Sequence, residues 1–179
     1  MRNFFGKLWI GMSMCVLIIP LWAQQGTVFQ EGDTLVIQDE RLSPDPFALG
    51  NDPLTYLTTH IKQKPTISKQ STHNLQVEQI DTVFTLAFGA NEFNLYKWET
   101  SEGQKGNFVL TASVKTDLFK TRHGIKTGQH KAEVMALLKQ YNIKSIPHYV
   151  TLETPDSGEL TLEFRDDILV GMHYVGSYD

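Results

Sequence analysis

Six histidines and twenty carboxylates are spread along the chain, and one small group of them has donor types that suit a metal. His123 and His130 bracket Gly124 and Gly128, and Glu133 lies one helical turn beyond His130. Two imidazoles and a carboxylate form a zinc-type donor set. Their spacing matches neither H-E-x-x-H nor the paired Cys/His signatures, so solvated loop histidines are the competing expectation. His148 and His173 fall on strands expected to be neighbours and carry the same two readings. Asp166 and Asp167 are adjacent and follow Arg165, and adjacent residues on a turn do not converge on a substrate as acid/base pairs must. The chain has no G-x-S-x-G elbow and no phosphate-cradling glycine loop. A dispersed Ser/His/Asp site stays open, because such sites assemble in space. No cofactor is expected.

The aromatic residues offer a different chemistry. Phe93, Tyr96, Trp98 and Phe108 gather around one expected hairpin. On a two-residue period Tyr96 and Trp98 share one face, with Phe93 and Leu95 on the other. One of these faces must be core. If nothing covers the second, it is an exposed aromatic patch of the kind that anchors an interface; if both are covered, the aromatics are packing.

Positioning these groups falls to the elements around them. The stretch GIKTGQHKAEVMALLKQY, residues 124–141, reads as a loop, a turn at Gly128 and one amphipathic helix. Val134, Leu137, Leu138 and Tyr141 recur at helical spacing on one face. With the helix starting after His130, Glu133 holds the third helical position, where a capping-box acid belongs, although His130 is an unusual cap and Thr127 is the alternative. A helix of about 12 residues is marginal alone, so its stripe must pack on something. A second helix starts at Asp52-Pro53, with Asp as cap and Pro at the first position.

Strand signals fill the rest. Phe84 to Phe88, Phe93 to Trp98 and Phe108 to Val114 alternate or are aromatic-rich, and Tyr149 to Glu153, Leu160 to Phe164 and Ile168 to Tyr174 form a second run. Residues 66–74 are polar without a period and read as loop. The expectation is one α+β domain over residues 51–179, with two short helices on one face of an antiparallel sheet in the order α-β-β-β-α-β-β-β. Residues 24–50 read as a loop-rich arm carrying one short strand, Thr34 to Gln38.

The first 23 residues carry Arg2 and Lys7, an apolar run and Ala23 before Gln24, the pattern of a secretory signal peptide. The run is short and interrupted by Pro20, against a permanent anchor, and Gly-Met-Ser-Met before Cys15 is a poor lipidation signal. Cleavage after Ala23 implies a periplasmic or secreted protein. Taking 23 from 179 leaves 156 residues, one domain's worth. With Arg2 and Lys7 removed, 14 basic residues face 20 acidic ones, a charge of −6. That balance argues against nucleic acid and anionic lipid as partners. Cys15 departs with the leader, so no disulfide staples the fold.

The C-terminal third, GIKTGQHKAEVMALLKQY followed by GELTLEFRDDILVGMHY, resembles the β-lactamase-inhibitor-protein-like modules, which include the small lipoprotein of the outer-membrane β-barrel assembly machinery. Gly128, Glu133 and Val134 match a G-x-[ST]-x-x-[ED]-V turn and helix, and Leu162, Phe164 and Leu169 match the strands that follow. The likeness covers about 50 of the 179 residues. His130 departs from the hydroxyl cap, and Lys139-Gln140 from the usual Leu-Gly. The resemblance implies exported modules that bind other proteins and catalyse nothing. Two functions follow as expectations: a non-enzymatic module engaging a protein or envelope component through its sheet and aromatic hairpin, or a small metal-dependent or hydrolytic periplasmic enzyme.

Overall fold

A computed structural model describes residues 26–43, 45–154 and 158–177; the expected leader at 1–23, Pro44 and residues 155–157 lie outside the described residues. The chain forms β1 (Thr27–Glu31), β2 (Thr34–Gln38), α1 (Pro53–Thr59), β3 (Thr66–Asn74), β4 (Gln79–Phe88), β5 (Asn91–Thr100), β6 (Lys105–Val114), α2 (Lys131–Leu137), β7 (Tyr149–Thr154), β8 (Gly158–Arg165) and β9 (Ile168–Gly176), with a 3-10 turn at Lys139–Tyr141. All nine strands join one sheet in the order β1-β2-β7-β8-β9-β6-β5-β4-β3. The β2–β7 pair is parallel and the remaining pairs are antiparallel.

This corrects the α+β expectation. The described residues form a nine-stranded mixed sheet with two helices of seven residues each, and the order α-β-β-β-α-β-β-β does not hold. The error has a physical source at the sheet's two edges. Residues 66–74 show no apolar alternation because eight of the nine positions of β3 are exposed. Pairing along β4 from Thr66↔Ala87 to Asn74↔Gln79 makes this segment a strand. β1 is likewise mostly exposed and is held by β2. Alternation marks a strand only where one face is buried, and these strands bury little.

The helices follow their local chemistry. Asp52 caps α1 by accepting from Thr55 N–H at 3.1 Å, with Pro53 at the first position. α2 is capped by His130, whose Nδ1 accepts from Ala132 N–H at 3.4 Å, while Glu133 Oε2 accepts from His130 N–H at 2.8 Å. The imidazole therefore fills the hydroxyl's role in the capping box, and Thr127 is buried elsewhere. Val134, Leu138 and Tyr141 are buried as their spacing requires, while Leu137 is exposed.

One face of the sheet carries the core. Leu86, Phe93, Leu95, Leu162 and Met172 are fully buried and pack with Leu57 of α1, with Val134 of α2 and with Leu138 at its C-cap. The loops contribute Phe47 and Phe119, whose rings meet Phe93 at 5.4 and 4.7 Å between centroids. Burying each such ring contributes about 1.5–3 kcal/mol relative to exposure. Directly after β2 comes Asp39, a buried carboxylate that binds Arg41.

Candidate binding surface

The registers decide which side chains share a face. Tyr96 pairs with Val83 on one side and Phe108 on the other, and Trp98 pairs with Asp81 and Gly106. Phe93 pairs with Leu86 and Ala112, all buried. Of the four hairpin aromatics, Phe93 thus belongs to the core, and Tyr96, Trp98 and Phe108 belong to the opposite face. A bulge at Asn94/Leu95 in the β5–β6 pairing inserts Leu110 between the partners of those residues. Without it Phe108 would fall on the core side.

No described helix packs on that opposite face. Its exposed residues span the sheet, with Phe29 on β1, Glu159 on β8, His173 and Val175 on β9 and Glu92 on β5. The aromatics are held in place by their neighbours. The Tyr96 and Phe108 rings lie 5.3 Å apart in a tilted pair, a cross-strand contact of the stabilising kind. Trp98 packs against Gly106, where an added Cβ would sit 2.7 Å from the indole nitrogen. Glycine is needed there so that the indole can approach the backbone.

Polar groups fix the row from the β4 side. Tyr96 Oη donates to Asp81 Oδ1 at 2.6 Å, and Gln79 Nε2 donates to Tyr96 Oη at 3.2 Å and also to Asp81. The bonds from Gln79 and Tyr96 hold the Asp81 carboxyl below its usual range. Burial, and then the Asp81 carboxylate, push the Tyr96 phenol up. A second ladder runs through Thr85, Asn94 and Thr111, with bonds of 2.7 and 3.1 Å. The phenol is thus neutral and fixed across the physiological range, an amphipathic ring with one end already bonded.

The same face is acidic. Glu31, Asp81, Glu92, Glu153, Glu159 and Glu163 fall on it by register. Among the described residues that fall on this face by register, the one Lys or Arg is Arg165, whose Nη2 donates to Glu163 at 3.2 Å. The two-residue period marks the aromatics in the sequence, but nothing local marks Gly106, Asp81 or these carboxylates. They come together through pairing between strands distant in sequence, and no local signal carries that.

The metal candidates sit differently. His130 and Glu133 are joined in the α2 capping box. His123 lines a small cleft with Leu42, Pro46, Thr121, Leu160 and Tyr174, with room for about one water. Among the described residues, no three His, Cys, Asp or Glu side chains gather closely enough to hold a metal ion. His148 approaches Asp33 at 3.5 Å, and His173 approaches Glu163 at 3.9 Å, both partly solvated. Against family models, curated proteins and solved structures, the chain finds no match.

Proposed function

We propose that this protein is an exported, non-enzymatic binding module that engages a protein or cell-envelope component through the open face of its sheet. The observation that carries the reading is the row of Tyr96, Phe108 and Trp98, fixed by Asp81, Gln79 and Gly106 on a face that no described helix covers. Preorganised aromatics with few rotatable bonds give contact area at low entropic cost, which is why such residues dominate interface energetics. The surrounding carboxylates favour a partner with a basic surface, since complementary charge steers encounter and rejects like-charged competitors. The secretory pattern of residues 1–23 and the resemblance of the C-terminal third to exported protein-binding modules support the same reading from the sequence.

The experiment is affinity capture from envelope extract with wild-type bait and with the Tyr96→Ala/Trp98→Ala bait. The wild type retains a protein at near-stoichiometric yield, and the double variant loses it while keeping its thermal transition. Equal retention by a folded double variant removes the aromatic face from the account.

A further inference from the structure

We propose that β3 is a docking edge, which accepts an extended acidic segment of a partner protein as an added strand. β3 is the last strand in the sheet order, so one side of its backbone has no strand partner among the described residues. It is nine residues long and paired with β4 along its whole length, which holds it extended and in register. A row of unpaired N–H and C=O groups on such a strand is a template for another chain, and this is how β-augmentation works.

Two features say what fits. The first is charge. From Pro53 to Val77 there is no carboxylate, in a chain that has 20, while Lys62, Lys64 and Lys69 all lie there. Lys69 stands on β3 itself, its Nζ 5.7 Å from the centre of the Phe84 ring. The second is apolar exposure. Among the described residues eight large hydrophobic side chains are exposed, and four of them belong to β3, its hairpin turn or the start of β4: Ile67 at 48 %, Leu75 at 77 %, Val77 at 57 % and Ile80 at 52 %. Ile67 and Lys69 are two apart and share a face, with Ser68 and Gln70 on the other. A strand added beside β3 therefore meets an apolar residue and a cation on one face and hydroxyl or amide groups on the other. Its matching pattern is apolar and acidic two residues apart.

Lys69 also selects against the commonest wrong occupant. A lysine on an edge strand discourages two copies of that strand from pairing, because a self-pair brings like charges together. An acidic strand turns the same lysine into an attraction. This edge lies beyond β4 from the aromatic row, so the two surfaces can be tested separately.

The test uses the purified protein and a labelled nine-residue peptide alternating threonine with valine or glutamate, beside a control with lysine for glutamate. Anisotropy is expected to show the glutamate peptide binding at least about fivefold more tightly. Amide exchange slows at alternate residues across 66–74, the pattern of one newly paired strand edge. Lys64→Glu/Lys69→Glu, two exposed positions, inverts the preference, and Trp98→Ala leaves it unchanged. Three results overturn the proposal. They are no binding of the glutamate peptide, binding without slowed exchange in 66–74, and protection of β3 that rises with protein concentration alone, which would make a second copy the occupant.

Discussion

Replacing Asp39 by Asn is expected to destabilise the protein at pH 7 and to do so progressively less as the pH falls. Asp39 comes directly after β2 and is 4 % exposed. Its carboxylate accepts from Arg41 N–H at 2.8 Å, from Nε at 2.9 and 3.0 Å and from Nη2 at 2.6 Å. Its own N–H donates to Glu153 O at 3.1 Å, so the group stands where β2 meets β7. The Arg41 bonds outweigh burial and lower the carboxyl from 3.8 to about 2. A depressed folded-state value means that the unfolded chain takes up the proton first. The stabilisation is complete above the unfolded value of 3.8 and is lost as pH falls through about 2. At about 1.4 kcal/mol per pH unit the difference corresponds to about 2 kcal/mol. Arg41 is 55 % exposed, so solvent and salt screen the pair and this figure is a ceiling. In a domain of this size that is a fall in Tm of about 4–8 °C. Urea unfolding of both proteins at steps from pH 7 to pH 2 is the assay, because carboxylates common to both cancel in the difference. The gap should be largest above pH 4 and close toward pH 2. A variant as stable as wild type at pH 7, or a gap that stays constant to pH 2, would mean that the Arg41 bonds to Asp39 do not stabilise the fold.

Three further outcomes follow from the geometry. Phe93→Ala should cost about 3–5 kcal/mol by denaturant unfolding, because it empties the centre of the core, whereas Trp98→Ala should cost clearly less. Equal costs would mean that the two faces have been exchanged. Glu133→Ala removes one arm of the α2 capping box and should lower stability by about 0.5–1 kcal/mol; an unchanged urea midpoint would show that the box contributes nothing. Asp81→Ala removes a carboxylate that raises the Tyr96 phenol, so difference absorbance between the variant and wild type should show one tyrosine ionising at lower pH. Coincident titrations would break the proposed Asp81–Tyr96 link.

What the sequence could show depended on how local the determinant was. The Asp52-Pro53 start and three of the four expected stripe residues (Val134, Leu138 and Tyr141, but not the exposed Leu137) are written in spacing and cap chemistry within a turn or two and were legible. So was the division of β5, with Phe93 and Tyr96 on opposite sides. β3 and β1 were not, because an edge strand exposed on both faces has no alternation to read. The closure of β2 on β7 was also hidden, since it joins Thr34 to Tyr149 across more than half the chain. The open face suffered most from this. Gly106 is an ordinary turn glycine in sequence, and only the register places it against Trp98.

Trp98 is the sole tryptophan after residue 22, so it reports on the open face directly. The decisive measurement is a 19F NMR titration of 5-fluorotryptophan-labelled protein with the unlabelled captured partner. The Trp98 resonance is expected to shift or broaden and to saturate at one partner per chain. A Trp98 resonance unmoved while the complex forms would contradict binding through the open face, and would place the interface elsewhere on the molecule.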